Sequence, residues 1–67
     1  MTNEFRLEMA VNAVNNAWAK GQECKANNDN NGAYMWFEEA YGMTKMFQIL
    51  TDKKIVIRDN KAVLDEA

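Results

Sequence analysis

A mainly α fold that closes in a small β element is what this sequence predicts, and three observations predict it. Apolar residues recur at three- and four-residue spacing through two long segments. An Asn-rich break separates those segments. A run of β-branched residues followed by a turn signal occupies the C-terminal part. The expected architecture is an antiparallel two-helix hairpin followed by a C-terminal β-hairpin, forming a single small domain over 1–67. Its helices are expected at about 3–27 and about 31–50, its turn at 28–31 and its β-hairpin at about 54–65.

The first helix is carried by "NEFRLEMAVNAVNNAWAKGQECKA". Leu7, Ala10, Val11, Val14, Ala17, Trp18, Gly21 and Cys24 form one stripe, while Glu8, Asn12, Asn15, Asn16 and Glu23 fall on the opposite side. Thr2 or Asn3 is placed to cap the start, and Glu4 suits the positive end of the helix dipole. Ala10, Ala17 and Gly21 are small and predict close approach of another helix. Gly21 costs about 1 kcal/mol of helix propensity, so a packing role is expected of it.

"NNDNNG" breaks the helix, because Asn and Asp compete for backbone hydrogen bonds and Gly adopts dihedrals other residues avoid. The segment that follows, "GAYMWFEEAYGMTKMF", is aromatic or Met at eight of its sixteen positions. As a helix it centres Trp36, Phe47, Ala40, Met43 and Ala33 on one face. Phe37 and Tyr41 flank that face on one side, and Leu50, Met46 and Met35 on the other. This apolar arc covers roughly two-thirds of the circumference, against the ~100° a surface helix needs. One antiparallel neighbour cannot cover it. The remainder must meet the C-terminal segment, a second copy of the chain, or a target.

In "DKKIVIRDNKAVLDEA", Ile55, Val56 and Ile57 are poor helix formers and good strand formers. "DN" at 59–60 suits a two-residue turn. The hairpin sets Ile55, Val56 and Ile57 opposite Leu64, Val63 and Ala62, and Arg58 opposite Lys61. The alternative is one strand followed by a short third helix through "KAVLDEA". An isolated hairpin is marginally stable, so it is expected to pack on the helices or on another sheet edge.

Composition narrows the function. With a formal net charge of -2, the chain has the wrong sign for general nucleic-acid binding. The absence of His and Ser removes the commonest general base, metal ligand and hydroxyl nucleophile. The lone Cys24 excludes an intramolecular disulfide and fits a reducing, cytoplasmic setting. It has no His to activate it and is expected to be a buried structural thiol. The sequence contains no long apolar run and no basic-then-apolar leader, so neither a membrane span nor a signal peptide is expected.

Two resemblances fall at the interhelical turn. Ala33, Phe37 and Ala40 lie twelve, sixteen and nineteen residues after Gly21. These offsets resemble the Gly, Ala, Phe and Ala of a single tetratricopeptide-repeat helix hairpin, over about half the chain. The resemblance implies that Gly21 and Ala17 pack against Ala33 and Ala40. "NNDNNGAYMWFE" resembles an EF-hand calcium loop, with Asn27, Asp29 and Asn31 at ligand positions, Gly32 at the bend and Glu38 at the bidentate position. Asn27 stands where that loop has Asp, which leaves two carboxylates. The expectation is no metal site and no cofactor.

Lys53, Lys54, Arg58 and Lys61 gather four basic residues in nine positions. They make a possible phosphate contact or, as the favoured reading, gatekeepers against edge pairing. Glu38 and Glu39 are adjacent on a helix and do not converge. The expected class is a non-enzymatic protein-binding module, an adaptor or inhibitor. By size and Asn-rich composition it is analogous to the small proteins that phages and mobile elements use to block host defence nucleases. The alternative is a nucleic-acid-binding accessory protein using the basic segment, and nucleic acid is the disfavoured partner. The expected partner surface is Tyr34, Met35, Trp36, Tyr41, Met43 and Met46, shared between a homodimer and an unidentified protein target.

Overall fold

The computed structural model describes residues 3–65, and its element order is two helices followed by two strands. Helix α1 runs Asn3–Ala26 and α2 runs Asn30–Thr51. Strands β1 (Lys54–Arg58) and β2 (Lys61–Asp65) pair antiparallel. This is the helical hairpin and C-terminal β-hairpin that the sequence predicts. The short third helix does not form, since residues 61–65 are strand. Asn3 is already helical, and the Thr2 cap lies outside the described residues.

Each boundary has a local cause. α1 ends as Asn28 turns left-handed at φ 61°, which lets the Asp29 N–H reach Cys24 O at 2.8 Å. Asp29 then caps α2, its Oδ1 accepting from the Gly32 N–H at 2.9 Å. α2 ends at Asp52, also left-handed at φ 61°, with its N–H bonded to Gln48 O at 2.9 Å. Asp59 and Asn60 have φ 53° and 62°, the two positive values that a type I′ hairpin turn requires.

That turn fixes the register expected from the sequence: Ile55 opposite Leu64, Val56 opposite Val63, Ile57 opposite Ala62 and Arg58 opposite Lys61. The Arg58–Lys61 opposition is relieved because Arg58 reaches across the Val56–Val63 pair to Asp65, with Nη2 to Oδ1 at 3.5 Å. Alternation sends Ile55, Ile57, Ala62 and Leu64 inward, where Ile55 and Ala62 join Val14, Ala17 and Ala40 in the core. β1 packs on α2 and β2 on α1, so the hairpin covers one side of the helix pair.

The helices approach closely where the sequence is small. Val14, Ala17, Ala33 and Ala40 are buried. A Cβ on Gly21 would overlap the Phe37 ring, and Trp18 stacks on that ring with centroids 4.3 Å apart. Asn15 departs from its expected place on the polar side. It is half-buried beneath the hairpin: its Nδ2 donates to Ala62 O at 3.0 Å and its Oδ1 accepts from the Ala62 N–H at 2.7 Å. Because residues 58 and 61 flank a two-residue turn, Ala62 points its backbone polar groups away from β1. The Asn15 carboxamide satisfies both groups, as a third strand would. Gln22 adds a bond to Asn60 Oδ1 at the hairpin tip, at 2.8 Å.

Two glycines in helices should respond oppositely to alanine. Gly21→Ala forces the Phe37 ring aside and is expected to destabilise by about 1–3 kcal/mol. Nothing lies within 4 Å of a Cβ at position 42, so Gly42→Ala is expected to stabilise by up to about 1 kcal/mol. Urea titration followed by circular dichroism checks both. Asn15→Ala leaves the Ala62 N–H and C=O without their carboxamide and is expected to cost about 1–3 kcal/mol in the same assay. Exposed Asn12→Ala, on the same helix, should stay within about 0.5 kcal/mol of wild type.

Candidate protein-binding surface

The large apolar side chains that remain outside the core are concentrated on α2. Tyr34, Met35, Tyr41, Met46, Ile49 and Leu50 are all more than half exposed, Met35, Ile49 and Leu50 at 71–74%. Phe5 and Met9 extend the set onto α1. Single exposed hydrophobes are ordinary on a protein surface. Six on one helix, in a chain of 67 residues, form a surface that needs a reason.

The expected partner residues divide into two groups. Trp36 and Met43 are half-buried and pack against the core, with Met35 and Met46 beside them toward solvent. Tyr34 and Tyr41 lie seven residues apart, about 100–140° around the helix from Met35 and Met46. Tyr41 is anchored by an edge-on contact with Trp18, centroids 5.6 Å apart, yet keeps 54% of its surface exposed. Tyr34 is 67% exposed, and the neighbouring Glu38, through hydrogen bonding and charge, raises its pKa above the ordinary phenol value. Between the groups, Tyr34, Met35, Trp36, Glu38 and Glu39 line an open depression of ≈ 470 Å³. Lys20 lies over the Trp36 ring with Nζ 4.9 Å from its centroid, so that ring already carries a cation.

Phe5, Met9 and Ile49 were not among the residues expected at the surface. The signal was present only in part. Ile49 falls beside Met46 and Met35 on the helical wheel, but Phe5 and Met9 lie off the inner stripe of α1, where periodicity alone does not mark them.

At the turn, Lys20, Glu23, Cys24, Asn27, Asp29 and Trp36 surround a second open depression of ≈ 280 Å³. The stretch resembling a calcium loop is helical from Asn30 onward, so Asn31, Gly32 and Glu38 lie on α2. Asp29 is engaged in capping, and Glu38 sits beside Tyr34. Among the described residues, no three His, Cys, Asp or Glu side chains converge as a metal cluster.

The basic residues are partly gathered. Lys54, Arg58 and Lys61 share the outer face of the hairpin, since alternation turns Ile55 and Ile57 inward. Asp65 stands opposite Lys54 and pairs with Arg58, which puts a carboxylate inside the basic group. Lys53 lies beyond the strand, after Asp52. No helix among the described residues is long and apolar enough to cross a membrane. No known family model, curated protein or solved structure matches the chain.

Cys24 is half-buried rather than fully buried. Desolvation, with the charge of Asp29 and a hydrogen bond to it, raises its pKa above the ordinary thiol value. A raised thiol pKa means less thiolate at a given pH. At pH 8, iodoacetamide is expected to label Cys24 more slowly than free cysteine, and Asp29→Asn should speed the reaction. Labelling at the free-cysteine rate would contradict the assignment.

Proposed function

We propose that this chain is a small non-enzymatic protein-binding module, an adaptor or inhibitor of a larger protein, and that its target seats on the Tyr34–Tyr41 flank of α2. The observation that supports this most is the exposure of both tyrosines on one helix face, beside an open depression with acidic and aromatic walls. Tyr offers large contact area with few torsions to freeze and a polar tip that stays satisfied at an interface. Glu38 and Glu39 at the same depression favour a target whose contacting surface carries Arg or Lys. Small phage- or mobile-element-encoded blockers of host defence nucleases are one class that this reading suits, by analogy of size and composition.

The reading as a nucleic-acid-binding accessory protein has less support. It would need Lys53, Lys54, Arg58 and Lys61 to act as a phosphate-contacting set, but Arg58 is paired with Asp65. No aromatic residue occurs among the residues from Lys53 to Lys61 for stacking on bases.

Affinity capture from host lysate tests the choice, comparing wild type with two variants of unchanged circular dichroism. Tyr34→Ala is expected to lower recovery of a specific protein by at least about tenfold, the loss typical of an interface aromatic. Lys53→Gln combined with Lys54→Gln and Lys61→Gln is expected to leave recovery intact. Capture that survives Tyr34→Ala but disappears with the lysine changes or with nuclease treatment would transfer the function to the basic hairpin.

A further inference from the structure

The side of the helix pair away from the hairpin carries a second surface, which adjoins the first along Met35, Trp36 and Glu39. Asn15 and Gln22 mark the side of α1 beneath the hairpin. Lys20, turned about 140° from Asn15 around the helix, instead lies over Trp36. Trp36 therefore belongs to the opposite, uncovered side of the pair. On α2, Met43 and Leu50 follow Trp36 at seven-residue intervals, drifting only about 20° each time. Met46 and Met35 lie alongside them. On α1 the same side presents Ala13 and, half-buried, Ala10, with Arg6, Met9 and Lys20 next to them. One strip is small and carries Arg6 and Lys20, with Glu23 beside Lys20, and the other is large and apolar with Glu39 as its charge.

We infer that this uncovered side is where a second copy of the chain docks, each α1 lying over the partner's α2 about a two-fold axis that runs along the helices. The choice of axis follows from charge and size. The perpendicular two-fold in the same plane sets α1 over the partner's α1, placing Arg6 and Lys20 against each other and leaving the alanines facing alanines. The axis along the helices instead exchanges the strips.

The contacts inside one chain give the levels. Gly21 meets Phe37, Lys20 meets Trp36, and Trp18 meets Tyr41. Ala10 and Ala13 are accordingly level with Met43 and Met46, and Lys20 with Trp36 and Glu39. Rotation about the axis preserves level. It therefore lays the methionines of one copy on the alanine shelf of the other and brings Lys20 toward the partner's Glu39. Such an isologous interface serves both copies with one self-complementary surface. The molecule is 39 × 23 × 18 Å. Its broad face is comparable with the ~800 Å² per partner of a standard interface. Tyr34 and Tyr41 stay outside this contact, while Met35, Trp36 and Glu39 border both it and the depression beside Tyr34; Tyr34→Ala and Met46→Glu therefore tell the two surfaces apart.

Sedimentation equilibrium at micromolar concentration, with circular dichroism as the control for folding, tests the inference. The expected result is a dimer that Met46→Glu weakens by at least about tenfold, since a charge is buried among apolar groups. Lys20→Glu and Glu39→Lys should each weaken it, and the two combined in one chain should restore it. Tyr34→Ala should leave it unchanged. A folded wild-type monomer at these concentrations overturns the inference. So does a dimer indifferent to Met46→Glu, or one that the combined charge reversal fails to rescue.

Discussion

Phe37 fits between the helices because residue 21 has no side chain, and much of the remaining structure depends on that fit. The glycine lets the two helices close on Ala17, Ala33 and Ala40, all buried. The ring wedged there becomes the platform on which Trp18 stacks. Trp18 in turn supports Tyr41, one of the two side chains proposed to meet a target. A residue of poor helix propensity in the C-terminal part of α1 thus helps to hold the candidate binding flank in place. The arrangement has a cost besides helix propensity: the indole Nε1–H of Trp18 is buried without a hydrogen-bond partner, a deficit of about 1–3 kcal/mol. The aromatic contacts Trp18 makes with Phe37 and Tyr41 help to offset it.

Much of the fold was legible because local signals agreed with one another. Consecutive β-branched residues, an Asp-Asn pair that tolerates positive φ, and small residues at spacings that let helices close all pointed the same way. The hairpin register followed from turn length alone. Asn15 was not legible. A helical wheel sorts residues by polarity, and on that basis a carboxamide belongs in water. Its role depends on a strand edge that reaches it from 47 residues away, and no local pattern encodes that meeting. The candidate site was legible to the same partial degree. Periodicity showed that the apolar arc of α2 was too wide for one neighbour, but it could not show which flank the hairpin would take. Trp36 and Met43 consequently proved half-buried, while Ile49, Phe5 and Met9 emerged at the surface.

The distribution of side-chain size is the last constraint. Most small domains place their largest apolar residues innermost. Here, among the described residues, the buried side chains are mainly alanine, with Val14 and Ile55 the exceptions, and the bulk of the Met, Tyr and Leu volume lies outside. Small buried residues bring the helices close but remove little apolar area from water, and burial contributes only about 25 cal/mol per Å². A chain of this size is already marginal. With no disulfide to staple it, further apolar burial is the stabilisation open to it, and the exposed surface of α2 can supply it only through another molecule. The hairpin divides that surface by covering one side of the helix pair. It leaves a broad methionine-rich face, the one inferred to meet a second copy. It also leaves a narrower tyrosine flank beside Glu38 and Glu39, the one proposed to meet a target. On those two proposals, one helix serves stability on one side and recognition on the other.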